Sequence, residues 1–292
     1  MNDLIQKYKV YIENKGLSKN TIEAYIRDLD QYVEFITNRD EDINLADEIT
    51  INAYIQKLME EKKSIASINR KMASIRNFYK YLNLYGYTKE TPSFVYELPK
   101  SKKEIPITLT VDEIDRLLST PNIECDKGIR DRAMLEIMYA TGIKVSELLN
   151  LRLLDLNLKM QYIICNGSKK RQRVIPLGSL AIKYMEQYLK VRGNLGYNNE
   201  NLLFFNNRGK KMTRQGFWKI VKEYAREANI NKSINLYTLR HSFAVHLLEN
   251  GADIKSVQEL LGHADLSATE RYSYITKKNR LKEVYTKAHP RA

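Results

Sequence analysis

The chain has 292 residues, of which 43% are hydrophobic and 28% charged, enough for two domains with a well-filled core. No apolar run reaches the length of a membrane span, and the opening "MNDLIQKYKVYIENKG" lacks the apolar centre of a signal peptide. The only two cysteines, Cys125 and Cys165, stand in no metal-ligand spacing, which argues against a zinc or disulfide scaffold and suits a reducing cytosol. The net charge is +13. Residues 1–100 carry 15 basic and 15 acidic side chains, so the whole excess lies in residues 101–292 and points to a polyanionic partner.

In chain order, the first hundred residues read as helical. In "LSKNTIEAYIRDLDQYVEFI", Ser18 is a helix N-cap, and Ile22, Tyr25, Ile26, Leu29, Val33 and Ile36 form one apolar stripe. "SIASINRKMASIRNFYKYL" repeats the pattern with Ile65, Ile68, Met72, Ile75, Tyr79 and Leu82. Its other face carries Arg70, Lys71, Arg76 and Lys80, either simply solvated or tracking a phosphate backbone. The prolines and charge run of "TPSFVYELPKSKKEIPITLT" mark a linker at 92–106. Thr110 and Glu113 make a capping box for the next helix. Helices follow near 127–140 and 145–151, with Gly142 as a left-handed cap between them. "MQYIIC" and "RVIPL" flank the polar "NGSKKRQ" and read as a hairpin. Helices resume near 179–192, 213–228, 237–250, 253–261, 266–274 and 277–288. The expected fold is mainly α with a small β-sheet in the second domain.

No Gly-rich phosphate loop, acidic metal triad or HExxH motif occurs. The informative stretch is "LYTLRHSFAVHLLENGADIKSVQELLGHADLSATERYSYI", Leu236 to Ile275. Tyr237 and Arg240 share a helix face. His263 sits at a helix-to-helix turn, and Tyr272 follows nine residues later. Singly, each has an ordinary structural explanation, above all one tyrosine among 20. As a set, the segment resembles the C-terminal signature of tyrosine recombinases, the phage-integrase superfamily, and especially the bacterial XerC/XerD type. "LSKNTIEAYIRDL" resembles the family's core-binding domain, "TGIKVSELLNL" its first-arginine motif, "GSKKRQRVIPLG" its lysine hairpin, and the ending "HPRA" that of XerD-type proteins.

The resemblance implies a two-domain DNA clamp. Residues 1–91 would be a helical, SAM-like core-binding domain and 107–292 a catalytic domain whose C-terminal helix, from about Lys277 with Leu281, Val284 and Tyr285 as anchors, docks on a neighbouring subunit. It also implies the chemistry: a tyrosine attacks a DNA phosphodiester, forms a 3′-phosphotyrosyl link and releases a 5′-hydroxyl, with no cofactor and no metal. By the same resemblance Tyr272 is the nucleophile, Arg240 the second phosphate-binding arginine, and His263 a phosphate or tyrosine partner. Further DNA contacts would come from Lys19, Arg27, Arg70, Lys71, Arg76, Lys80, Lys170, Arg171, Arg173 and His241.

Three positions depart from the family pattern. Tyr237 stands where histidine is usual. Ser168 takes the usual hairpin lysine position, leaving Lys169, or Lys170 next to it, as the acid for the leaving oxygen. Lys144 replaces the first arginine, by design or natively; it keeps the charge without the bidentate fork, so weakened cleavage is expected. The implied partners are double-stranded DNA with a paired recombination site, a second copy or related recombinase in a tetrameric synapse, and a septal DNA translocase, with no membrane. The implied location is cytoplasmic and nucleoid-associated. Within the family, dimer resolution competes with integration of a mobile element, and the short N-terminus favours the former. Outside it stands a DNA-binding protein that no longer cuts; a helix-turn-helix repressor leaves the ordered arginine, histidine and tyrosine unexplained.

Overall fold

The computed structural model describes residues 2–43, 46–89, 91–92, 106–167, 172–195 and 201–262, with Thr269, Tyr272 and Ile275. The chain divides into two compact units, Met1–Lys103 and Glu104–Ala292. Most of the expected linker at 92–106, and the helices expected at 266–274 and 277–288, fall outside the described residues apart from isolated positions.

In the first unit the described residues form four helices: α1 (Asn2–Asn14), α2 (Lys19–Thr37), α3 (Glu48–Glu60) and α4 (Ile65–Leu84). Each of the last three starts on a side chain that accepts an amide three residues on: Ser18 from Thr21, Asp47 from Thr50 and Ser64 from Ser67. The expected stripes face inward. On α2, however, Tyr32 and Phe35 are buried as well, while Tyr25, Ile26 and Val33 are only half-buried. Aromatic rings fill much of this core. Tyr8 meets Phe78 edge-on at 5.2 Å, and the Tyr79 hydroxyl, 3.1 Å from that of Tyr32, donates to the Ile43 carbonyl.

The basic face of α4 is smaller than expected. Asp28 projects inward from α2 and is 1% exposed. It draws in Lys71, itself 4% exposed, at 3.2 Å and the Arg70 guanidinium at 3.0 Å. Lys71 also bonds to Gln31. A buried carboxylate without a cation is costly, so Lys71 serves the core rather than a phosphate backbone, while Arg70 pairs with Asp28 from the surface, its side chain 46% exposed. Lys80 remains exposed and Arg76 half-buried.

The second unit contains α5 (Val111–Ser119), α6 (Asp126–Thr141), α7 (Val145–Leu148), β1 (Leu156–Asn157), β2 (Tyr162–Asn166), β3 (Gln172–Pro176), α8 (Ser179–Val191), α9 (Arg214–Glu227), α10 (Thr238–Glu249) and α11 (Ile254–Leu261). The Thr110–Glu113 capping box opens α5 as expected. Helix α6 packs against α8 and α10 and, past its exposed first turn at Lys127, is buried nearly all round, with Arg130, Asp131, Arg132 and Glu136 included. Arg130 pairs with Asp131 at 2.7 Å and Arg132 with Glu136 at 2.8 Å, which lets them lie inside. The antiparallel sheet runs β1-β2-β3; the hairpin was expected, the short β1 was not. Alternation puts Ile163, Cys165 and Ile175 in the core and leaves Val174 outside. Helix α7 stops at Leu148 rather than 151. Beyond it the Leu151 carbonyl accepts the Leu203 amide, and Leu153 donates to Asn201, so the chain pairs with 201–203 instead of coiling on.

Candidate active site

Two left-handed glycines build the floor of the site. Gly142 caps α6 at φ 57°, and a Cβ there would lie 2.3 Å from the Phe243 ring. Gly262 caps α11 at φ 64°, where a Cβ would meet the Arg173 guanidinium at 2.7 Å. Only glycine takes that backbone without strain and also leaves the space. Each turn exposes a carbonyl, and Arg240, in the first turn of α10, collects both. Its Nη1 donates to the Gly142 oxygen at 2.5 Å and its Nη2 to that of Leu261 at 2.7 Å. Arg240 is 4% exposed, and burial lowers its pKa to about 10, so it stays charged at neutral pH. A guanidinium has five N–H donors, so some remain for an anion.

Lys144 is the N-cap of α7, half-buried, and lines a cleft of about 330 Å³ with Asn150, Asp155, Asn166 and Gly167. Its amide donates to Glu147 at 2.9 Å. The Glu147 carboxylate also receives both ends of the Arg173 fork, at 3.0 and 2.8 Å. Burial pushes this carboxyl upward, but the Arg173 bonds and the Lys144 amide outweigh it and hold it below its ordinary 4.5. Arg173, expected on DNA, is instead engaged inside the protein: Glu147 and the Leu260 carbonyl occupy its guanidinium.

Tyr272 is 1% exposed and packs with Phe243, Leu248, Val257 and Leu261. Its hydroxyl lies 2.5 Å from Nδ1 of His241, the residue after Arg240. His241, expected among the DNA contacts, is thus the partner of the tyrosine. An unprotonated Nδ1 accepts the phenol proton, which is what a nucleophilic hydroxyl needs. Tyr237, at the N-cap of α10, is 48% exposed and receives a hydrogen bond from Arg214 at 3.2 Å. Its ring also faces that of His241, at 6.2 Å between centroids.

The structure therefore brings Arg240, His241, Tyr237, Tyr272 and, through the Gly142 turn, Lys144 into one region of the second unit. Lys71 stays inside the first unit and Arg70 is tied from its surface to the buried Asp28, while Lys19, Arg27 and Lys80 are exposed. His263, Lys169, Lys170 and Arg171 lie outside the described residues. Sequence reasoning did not single out Glu147, although it sits three residues after Lys144 inside the quoted motif. Arg214 and Lys211, which bonds to Asn150 of the Lys144 cleft at 2.5 Å, carried no sequence signal. A larger cleft of about 840 Å³, beside Trp218, Lys222 and Arg226, holds none of the expected site residues. No group of three His, Cys, Asp or Glu side chains converges among the described residues.

A model of the phage integrase family matches residues 108–279, and one of the phage integrase N-terminal SAM-like domain matches residues 5–85. The chain belongs to the phage integrase family. It is 46% identical over 299 residues to the tyrosine recombinase XerD of Listeria innocua and 41% identical over 296 residues to that of Staphylococcus epidermidis, each alignment covering 100% of both chains. Among solved structures, XerH site-specific recombinase bound to a palindromic difH substrate in a post-cleavage complex superposes with a TM-score of 0.74 at 22% identity. That likeness, over 90% of this chain and 79% of the other, is one of fold. The full-length likeness to XerD proteins makes this family member a site-specific recombinase of the XerC/XerD type. No described helix is long and apolar enough to cross a membrane.

Proposed function

We propose that the chain cuts and rejoins duplex DNA at a fixed, paired site, resolving chromosome or plasmid dimers, with Tyr272 as the nucleophile. The observation that carries this reading is the contact between the Tyr272 hydroxyl and His241 Nδ1, one residue from the buried Arg240. The phenol oxygen attacks the phosphorus and its proton passes to His241. The bond from phosphorus to the 5′ oxygen breaks, and that oxygen takes a proton from Lys169 of the hairpin, with Lys170 the alternative. Arg240 and Lys144 meet the charge that grows on the non-bridging oxygens, assisted by His263. Tyr237, held by Arg214, donates a hydrogen bond from the same side. The phosphotyrosyl bond keeps the energy needed for religation.

Lys144 makes this a slow enzyme. An ammonium supplies charge but not the bidentate fork, which lowers transition-state stabilisation by about 3 kcal/mol, roughly a hundredfold in rate. Trapping on nicked suicide duplexes tests the assignment. Tyr272→Phe is expected to abolish the covalent adduct while binding persists; an adduct mapped to Tyr274 would reassign the nucleophile.

A further inference from the structure

Arg173 leaves β3 and turns inward, its side chain 14% exposed. Three elements meet on its guanidinium. Nη1 and Nη2 hold the two carboxylate oxygens of Glu147 at the start of α7, and Nε donates to the Leu260 carbonyl at the end of α11, 2.9 Å away. Gly262 leaves just enough room for the plane of the fork. Both anchoring points are shared with the phosphate-binding cations. Glu147 also accepts the Lys144 amide, and Leu261, next to Leu260, accepts Arg240. A planar fork serving three acceptors fixes orientation as well as distance, which a single ammonium cannot do.

We propose that Arg173 is a positioning residue of strand cleavage: a buried brace that holds α7 and the end of α11 where Lys144 and Arg240 meet the scissile phosphate. This inference rests on the assignment of those two cations. It gives Arg173 no contact with DNA, so its loss acts on the chemical step and not on affinity. Misplacing a reacting group by about an ångström costs on the order of a hundredfold in rate.

The test uses the full chain and a duplex selected from a random-sequence pool by covalent trapping on the wild-type protein. The scissile linkage is either the phosphodiester or a neutral methylphosphonate, in which a methyl group replaces one non-bridging oxygen. Arg173→Met is expected to slow single-turnover cleavage of the phosphodiester about a hundredfold while the dissociation constant from gel shifts stays within about twofold. Arg173→Lys, which keeps the charge and one contact, should fall between. On the methylphosphonate the cations have less charge to meet, so the deficit should shrink to under about tenfold. Wild-type rates in Arg173→Met, or an equal deficit on both linkages, would overturn the proposal. If Arg173→Met melts too low to assay, Arg173→Lys carries the same comparison. Lys144→Ala and Arg240→Ala serve as references. Relief on the methylphosphonate in these two but not in the Arg173 variants sinks the brace alone; no relief in any of them sinks the cation assignment with it.

Discussion

Two lysines in this chain show how the same side chain is spent differently according to what surrounds it. Lys144 lines an open cleft at the site, and Lys71 lies under α2 against Asp28. Lys144→Arg restores the fork where charge develops in the transition state, so cleavage of a suicide duplex should rise about a hundredfold with affinity unchanged. Rates agreeing within about twofold would show that Lys144 is not the damaged phosphate clamp. Lys71→Met leaves the buried Asp28 with Arg70 as its remaining cation and should lower unfolding stability by about 2 kcal/mol in urea titrations, leaving the salt dependence of DNA binding alone. Lys80→Glu on the same helix should do the reverse: stability holds, and the slope of log affinity against log salt falls by about 0.9 if one phosphate contact is lost. A constant slope would leave Lys80 as a merely solvated charge.

At the scale of elements, the site hangs on helix ends. The left-handed caps of α6 and α11 present the carbonyls that hold Arg240, and α7 begins on a backbone amide tied to Glu147. Gly262→Ala combines left-handed strain with a collision against Arg173. It should destabilise the protein by about 2 kcal/mol or more, and Arg173→Ala should cost less in that background than in the wild type, because the collision is then already relieved. Full additivity of the two changes would refute the packing described here. Glu147 brings a pH dependence whose sign follows from its lowered pKa. Its folded value lies below the ordinary 4.5, so its contribution is complete above that value and fades as pH falls through the folded one. The melting-temperature gap between wild type and Glu147→Gln should therefore be widest near neutrality and close in acid; a gap that stays constant would mean the carboxylate charge is not what stabilises.

For the molecule as a whole, the described state is one in which the tyrosine is shut in. Tyr272 is 1% exposed, whereas Tyr85 is 56% and Tyr237 48% exposed. Treating the free protein with tetranitromethane and mapping its peptides should find Tyr85 and Tyr237 nitrated and Tyr272 spared. Equal labelling would mean that an open arrangement already dominates without DNA. The basic excess of residues 101–292 favours a polyanion over a range longer than any single contact.

Much of this was legible without coordinates, because periodicity, caps and turn residues are local. Ser18, Thr110 and Gly142 stop or start helices through groups only a few residues away, and the hairpin follows from alternation and a polar turn. The recombinase reading came from the ordered motif around Arg240, His263 and Tyr272 and from nothing subtler. What the sequence could not supply was the partner of each charge. Asp28 and Lys71 are 43 residues apart, Glu147 and Arg173 are 26, and His241 and Tyr272 are 31. Whether a lysine or arginine faces solvent, a phosphate or a buried carboxylate depends on which helices pack together, and only the tertiary structure decides that. Hence Lys71 and Arg173 read as DNA contacts in the sequence and are paired with carboxylates inside the fold, while of the two helix ends that hold Arg240 the Gly142 cap was visible from the sequence.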